Sequence, residues 1–468
     1  MALALVKLRV INFAPIMATA TANMHLQVKI SNKQILQVAL PIAASILVPQ
    51  LNFITNNIFL SSLGEEPLAV AGITGVFYLI FAVIGFGLNN GMQSLIARRA
   101  GEGKTGEITG LFNQGIRVAL FFSLAAIGIT YFIAPLIFSH ALHQSGHVKL
   151  AVSFLYIRIW GLPLLYMYQL RNALLVGTNN SRYLLIGTFV ETATNIVLDY
   201  ALIKGRLGFT AMGFNGAAFA SIAAEGAGFL TVFLVMRINK ISKSLHLTSN
   251  FAYHAGNTKL ILTQSAPLIV QFMISVTSWE FFYILVEHHG QRDLAVSNIM
   301  RNIFGLFGCV SWAFAAASNT MVSNIIGQGL QHRVKELIVK IMKLSLGLTL
   351  VVFTALNLFV PFVMKIYGQG DDFIAAAIPV VRVVSAALVI MSVSTVWLNA
   401  VTGTGNTRVN LTIEVGAITL YCLYAYFTLE VFNMPITWGW AAEWVYWISM
   451  LIPSFLYIQS GKWKGKVI

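Results

Sequence analysis

Twelve apolar runs, each about long enough to cross a bilayer, constrain the fold of this chain more than any motif does. They lie at roughly 35–60, 68–97, 109–136, 149–177, 183–204, 214–236, 261–286, 294–325, 336–364, 373–403, 409–432 and 438–459. A spanning helix needs roughly 20 mainly apolar residues, because the hydrocarbon core is about 30 Å thick and each helical residue advances about 1.5 Å. Inside a bilayer every backbone N–H and C=O must be paired within the protein, so runs of this length predict helices. A transmembrane barrel would show short alternating segments instead, and none occur. Of 468 residues, 57% are hydrophobic and 10% charged, against about 25% charged in a soluble domain. The fold class expected is therefore an all-α polytopic membrane protein of twelve transmembrane helices, with no room for a soluble catalytic domain.

The few charges are not placed at random. Lys29 and Lys33 precede the first run, and Glu65 and Glu66 follow it. Arg98, Arg99 and Lys104 come next, then Arg182, then Arg237, Lys240, Lys243 and Lys259. Arg333 with Lys335, Arg408, and finally Lys462, Lys464 and Lys466 complete the pattern. Basic residues thus favour every second connection, as the positive-inside rule requires, which assigns both termini to the cytoplasm. The net charge of +14 is accounted for by these loops, so nucleic acid is not an expected partner. Residues 1–23 stand apart. Lys7 and Arg9 ahead of a short apolar stretch resemble a signal peptide, but cleavage would leave the new terminus outside. A loose tail, or a true start at Met24, fits the charge parity better.

The second half of the chain repeats the first. Pro41 recurs as Pro267, 226 positions on. The same displacement carries Gly64, Leu68, Ala69 and Val70 onto Gly290, Leu294, Ala295 and Val296. It carries Gly101-Glu102-Gly103 onto Gly327-Gln328-Gly329, and Gly177 through Arg182 onto Gly403 through Arg408. Each match is weak alone, but four in one register without a gap are strong. The domains expected are a tail at 1–30, an amino-terminal lobe of six helices at 31–236, a cytoplasmic linker at 237–260, and a carboxy-terminal lobe at 261–468 with a short basic tail. Two copies of six helices enter the membrane from the same side, which is the parallel-repeat plan of several secondary transporters.

With these motifs in view the chain resembles the multidrug and toxic compound extrusion (MATE) transporters from about Met24 onward. The resemblance rests on Leu40-Pro41, on Leu63-Gly64 with Leu68-Ala69, and on the glycine-rich turn at 177–182. Most specific are Asn195-Ile196-Val197-Leu198-Asp199 and Gly216-Ala217-Ala218-Phe219-Ala220. It implies two six-helix bundles around a cleft, exporting small amphiphilic or cationic organic compounds against inward H⁺ or Na⁺. It implies a chain embedded among lipids in the cell membrane, bacterial inner membrane by analogy, working as a monomer without a cofactor. The nearest rival is a flippase for a lipid-linked oligosaccharide, which calls for a strongly basic cavity and further helices.

Thr188, Glu191, Asn195 and Asp199 follow one another at spacings of three and four, a polar stripe down one face of the fifth helix. An ionised acid in hydrocarbon is costly, so such a stripe faces the protein interior or a water-filled cavity. There it can bind a proton, exchange it for Na⁺, or enter a structural network with Arg117, Arg158 or Arg171. The resemblance assigns coupling to Asn195 and Asp199, with Asn172 of the fourth helix. Two departures stand out: Asn56 occupies the position of a first-helix aspartate, and Phe154 that of a fourth-helix tyrosine. In the second half Glu280 resembles a seventh-helix glutamate of some relatives, a candidate for coupling, for drug binding, or for a salt bridge to Arg301 or Arg382. A tenth-helix aspartate has no counterpart, Glu414 stands alone in its run, and Glu225 and Glu443 are weaker candidates. Asn56, Trp279, Phe282, Met391 and Trp397, with Met273, are candidates to line a plastic binding cavity, the alternative being that such mid-membrane aromatics and methionines simply pack.

Enzyme signatures are missing from the sequence. There is no Walker A loop, no GxSxG and no HExxH. Cys309 and Cys422 lie inside apolar runs and read as packing residues. His140, His143 and His147 read as solvated loop residues, so no metal is expected.

Overall fold

The computed structural model describes residues 26–468 apart from 62, 143–144, 248, 250–251, 366–369 and 467. The tail at 1–23 and His143 lie outside the described residues. Among those described, twelve long helices form and no strand does. In the first half they are α1 (Asn32–Ser61), α2 (Glu65–Gly101), α3 (Thr105–Ala141), α4, α5 (Leu184–Lys204) and α6 (Phe214–Ile238). Helix α4 is made of Ser145–Arg158 and Leu162–Gly177 joined by the 3₁₀ turn Ile159–Gly161. In the second half they are α7 (Ala255–His288), α8 (Gln291–Gly327), α9 (Val334–Leu358), α10 (Asp371–Gly403), α11 (Thr407–Ala425) and α12 (Ala442–Ser460). Helix α11 runs on into a π-helical segment, Tyr426–Val431. Eleven of these spans, α2 to α12, carry a window long and apolar enough to cross a membrane, and α1 has 30 residues.

The outer surface explains the composition. Phe121 and Phe132 on α3, Leu230 on α6 and Val351 and Leu358 on α9 are all exposed, Phe132 by 84%. A surface so apolar is stable only against acyl chains. The resulting class is a polytopic membrane protein.

The repeat is equally plain in three dimensions. In the first half α1 packs on α5, α5 on α6 and α2 on α4; in the second α7 packs on α11, α11 on α12 and α8 on α10. Gly64 and Gly290, one repeat apart, precede α2 and α8 with φ of 111° and 107°, a conformation that a side chain would strain.

The halves meet along α2, α1, α7 and α8, most tightly at the end that carries the basic loops. A Cβ on Gly101 would lie 2.0 Å from the Asn324 carbonyl oxygen, and one on Gly327 2.2 Å from that of Arg98. These two glycines are also one repeat apart, so close contact is built into both copies. Around them the Arg98 guanidinium is buried and donates to Ser323 Oγ at 3.4 Å and to the Gly403 and Thr404 carbonyls at 3.3 Å. Ser323 Oγ donates to the Ser94 carbonyl at 2.7 Å and Asn319 Nδ2 to that of Asn90 at 3.1 Å. Segment 26–28 straps the same seam: Val28 N–H donates to Asn324 Oδ1 at 3.1 Å, and Asn324 Nδ2 donates to Leu26 O at 2.9 Å. The linker lies along α3, where Asn113 and Gln114 donate to the carbonyls of Ser249 and Ala252 at 2.9 and 2.7 Å. Helix α7 begins at Ala255, ahead of the boundary expected at 261.

Candidate cation site

Asp199 is 1% exposed in the middle of the first half, and neither of its carboxylate oxygens has a hydrogen-bond partner among the described residues. Asn195, one turn earlier on α5, accepts a hydrogen bond from Asn52 Nδ2 of α1 at 2.7 Å. That leaves Asn195 Nδ2 and Asn52 Oδ1 buried and unsatisfied, and Asn56 Oδ1, one turn on along α1, is buried and unsatisfied as well. Orphaned buried polar atoms cost about 1–3 kcal/mol each, so a group of them on facing helices marks a place for something that supplies the missing bonds. A proton on Asp199, or a small cation held by its carboxylate and the amide oxygens, would do so. The oxygens among these atoms suit either, whereas Asn195 Nδ2 can only donate and needs an acceptor.

The rest of the stripe is used differently. Thr188 Oγ1 shares a hydrogen bond with the Tyr168 hydroxyl of α4 at 3.0 Å. Glu191 lies over Gly228 of α6, where a Cβ would sit 3.1 Å from Glu191 Oε2. Asn172 has a buried, unsatisfied Oδ1, but no hydrogen bond joins it to Asn195 or Asp199. Asn52 is the member that sequence reasoning missed; it lies four residues before Asn56, so the shared face of α1 held the signal.

A second polar group sits nearby. Arg158 of α4 forms a two-pronged ion pair with Glu225 of α6, at 2.5 and 3.1 Å, and its guanidinium lies 4.0 Å from the Tyr78 ring centroid. Gly161 makes room for it, since a Cβ there would lie 2.3 Å from both Arg158 Nη1 and Glu225 Oε2. Glu225 is mid-helix in α6. Arg171 stacks on Phe229, 3.7 Å from its centroid, and so does not neutralise the stripe. Phe154 stacks on Phe214, with centroids 4.3 Å apart.

In the second half Glu280 is on an exposed face of α7. Arg301 lies over the Tyr283 ring, 5.4 Å from its centroid, rather than pairing with Glu280. Phe282, Met391 and Trp397 are buried in the core, Trp397 against Phe455 with centroids 4.9 Å apart. Trp279 donates its indole N–H to Glu443 at 3.3 Å. Glu414, alone in its run of sequence, is not alone in space, because Tyr446 of α12 donates to it. The described residues contain no group of three or more metal-ligating side chains.

Two six-helix halves related by a repeat, a seam closed at one end and a buried carboxylate in the first half define a membrane transporter of two-lobed design. The MatE family model matches the chain twice, over residues 41–201 and 267–427, in the same 226-residue register as the repeat. The chain belongs to the MatE family of multidrug efflux transporters. It is 23% identical to the probable multidrug resistance protein NorM of Pasteurella multocida, covering 94% of this chain and 91% of that protein. It is 22% identical to the probable NorM of Thermotoga maritima, covering 93% and 94%. Its fold matches a MOP superfamily transporter from Pyrococcus furiosus with a TM-score of 0.84 at 18% identity, over 94% of this chain and 98% of that one.

Proposed function

We propose that the chain exports small amphiphilic or cationic organic compounds by antiport with H⁺ or Na⁺, through alternating access of its two halves. The observation that carries this reading is the pair of unpartnered carboxylate oxygens on buried Asp199. An acid in that position has a use for a cation and no fixed one to pair with. Asn52 ties the site to α1, and α1 packs against α8 of the other half. Pro49 stands within α1 less than one turn before Asn52. A proline there removes a backbone hydrogen bond, so α1 is weakest where it meets the site. Filling or emptying the site therefore biases how α1 sits against the second half. A cation that binds the two arrangements unequally shifts their populations by that difference, which is what coupling requires.

With the seam closed at the basic-loop end and that end assigned to the cytoplasm, alternating access requires the substrate path of this arrangement to open outward. The test uses the purified chain in proteoliposomes loaded with a fluorescent cationic dye. An imposed H⁺ or Na⁺ gradient is expected to drive dye movement, and Asp199→Asn to abolish it while the protein still inserts and binds dye. Uphill transport by Asp199→Asn at the unaltered rate would overturn the assignment and turn attention to Glu191 and Glu280.

A further inference from the structure

The second half buries two acids, Glu414 at 1% and Glu443 at 3% exposure, and neither forms an ion pair among the described residues. Glu414 Oε1 accepts from Ser275 Oγ at 2.8 Å and from the Tyr446 hydroxyl, and Oε2 accepts from Gln271 Nε2 at 3.1 Å. Glu443 accepts from the indoles of Trp279 at 3.3 Å and Trp447 at 3.0 Å. All five donors are neutral. The other charged groups on the packed helices are Lys259, Glu280 and Glu287 of α7, Arg292, Asp293 and Arg301 of α8, Asp371, Asp372 and Arg382 of α10 and Arg408 of α11, none of them buried. The remaining titratable neighbours are Tyr283, Tyr421, Cys422 and Tyr446.

The repeat gives this pocket a meaning. Shifting the α5 stripe by 226 places Thr188 on Glu414 and Asn195 on Tyr421. The pocket is thus formed by α7, α11 and α12 where the first half forms its cation site from α1 and α5, with α6 packed behind. It also holds unused polar atoms. The Tyr421 hydroxyl, in a side chain 2% exposed, faces Glu443 yet completes no hydrogen bond of good geometry. Gln271 Oε1 is buried and unpartnered.

Two ionised carboxylates without a counter-charge in a membrane interior cost several kcal/mol each. The two acids differ in what can relieve that cost. Glu443 stands in the first turn of α12, where the helix N-terminus favours an anion. Glu414 is mid-helix, beside an amide that donates N–H to a carboxylate and, turned over, presents Oε1 to accept O–H. We propose that Glu414 is a second, carboxy-lobe proton-binding site, with Gln271 as the amide that serves both protonation states, while Glu443 stays ionised at its helix N-terminus. Proton transfer is the only chemistry: the proton enters Glu414 from water and leaves to water. Its use in export rests on the antiport reading, whereas proton occupancy itself does not.

The experiment is infrared difference spectroscopy of the purified chain in lipid nanodiscs during a pH titration. A protonated-carboxyl stretch is expected that vanishes in Glu414→Gln and persists in Asp199→Asn. The band should persist in Glu443→Gln, which would remove it if Glu443 carried the proton. Tyr446→Phe removes one donor to the carboxylate, so the band should titrate at higher pH. That variant and Glu443→Gln decide the question if Glu414→Gln does not fold. A band unchanged in Glu414→Gln, a band lost in Glu443→Gln, or a midpoint unmoved in Tyr446→Phe would overturn the proposal. If dye transport fails even in the unmodified chain, the antiport reading falls while the infrared result still stands.

Discussion

Asp199 and Glu225 are both buried acids on adjacent helices, yet their surroundings give them different work. Glu225 has a two-pronged arginine partner, and Asp199 has none. Breaking a buried ion pair from one side leaves the other charge unpaired and costs about 3–5 kcal/mol. Glu225→Gln is therefore expected to lower stability by about that amount, read as an earlier thermal transition in detergent. Asp199→Asn should leave the transition near that of the unmodified chain, because it removes a charge that nothing pairs. Converting Arg158 and Glu225 together to methionine should recover most of the loss, and a double variant as unstable as Glu225→Gln would contradict this account. The stripe on α5 was legible from spacing alone. Its division of labour was not, since sequence offers Arg117, Arg158 and Arg171 equally as partners and only packing selects among them.

At the scale of elements, the segment before α1 matters more than its irregular sequence suggests. Leu26 and Val28 exchange hydrogen bonds with Asn324, and Gln328 Nε2 donates to Val28 O at 3.0 Å. Removal of residues 1–23 should leave dye export unchanged, whereas removal through Val28 should release the strap. The longer truncation is expected to make Ser323→Cys react with a thiol reagent several-fold faster, and equal rates in the two truncations would count against the strap. Helix boundaries followed the apolar runs closely because hydrocarbon enforces internal backbone pairing over each run. The 3₁₀ turn in α4 and the π-helical end of α11 were not legible. They depend on local fit, such as the space Gly161 leaves for the Arg158–Glu225 pair.

At the scale of the whole molecule, the closed seam sets the conformation. Gly101→Leu cannot be accommodated 2.0 Å from the Asn324 carbonyl, so the basic-loop end should be forced apart. Faster labelling of Ser323→Cys from that side and slower export are the expected outcomes, and an unchanged labelling rate would show that the glycine contact is not what holds the seam. Topology has its own check: a cysteine at position 65 should be labelled from outside the cell and one at 243 should not. Strong external labelling at 243 would invert the map.

Sequence by itself determined the membrane setting, the number of spans and the two-fold repeat. These follow from the length of apolar runs and from residue types recurring at a fixed displacement, and neither depends on which helices touch. Only the tertiary structure decided which polar residues meet. Asn52 with Asn195, Arg158 with Glu225, Arg98 with the end of α10, and Glu414 with Tyr446 are all separated by tens or hundreds of positions. In a membrane interior a polar side chain must find its partner on a neighbouring helix, and the angle and depth at which helices cross choose that partner.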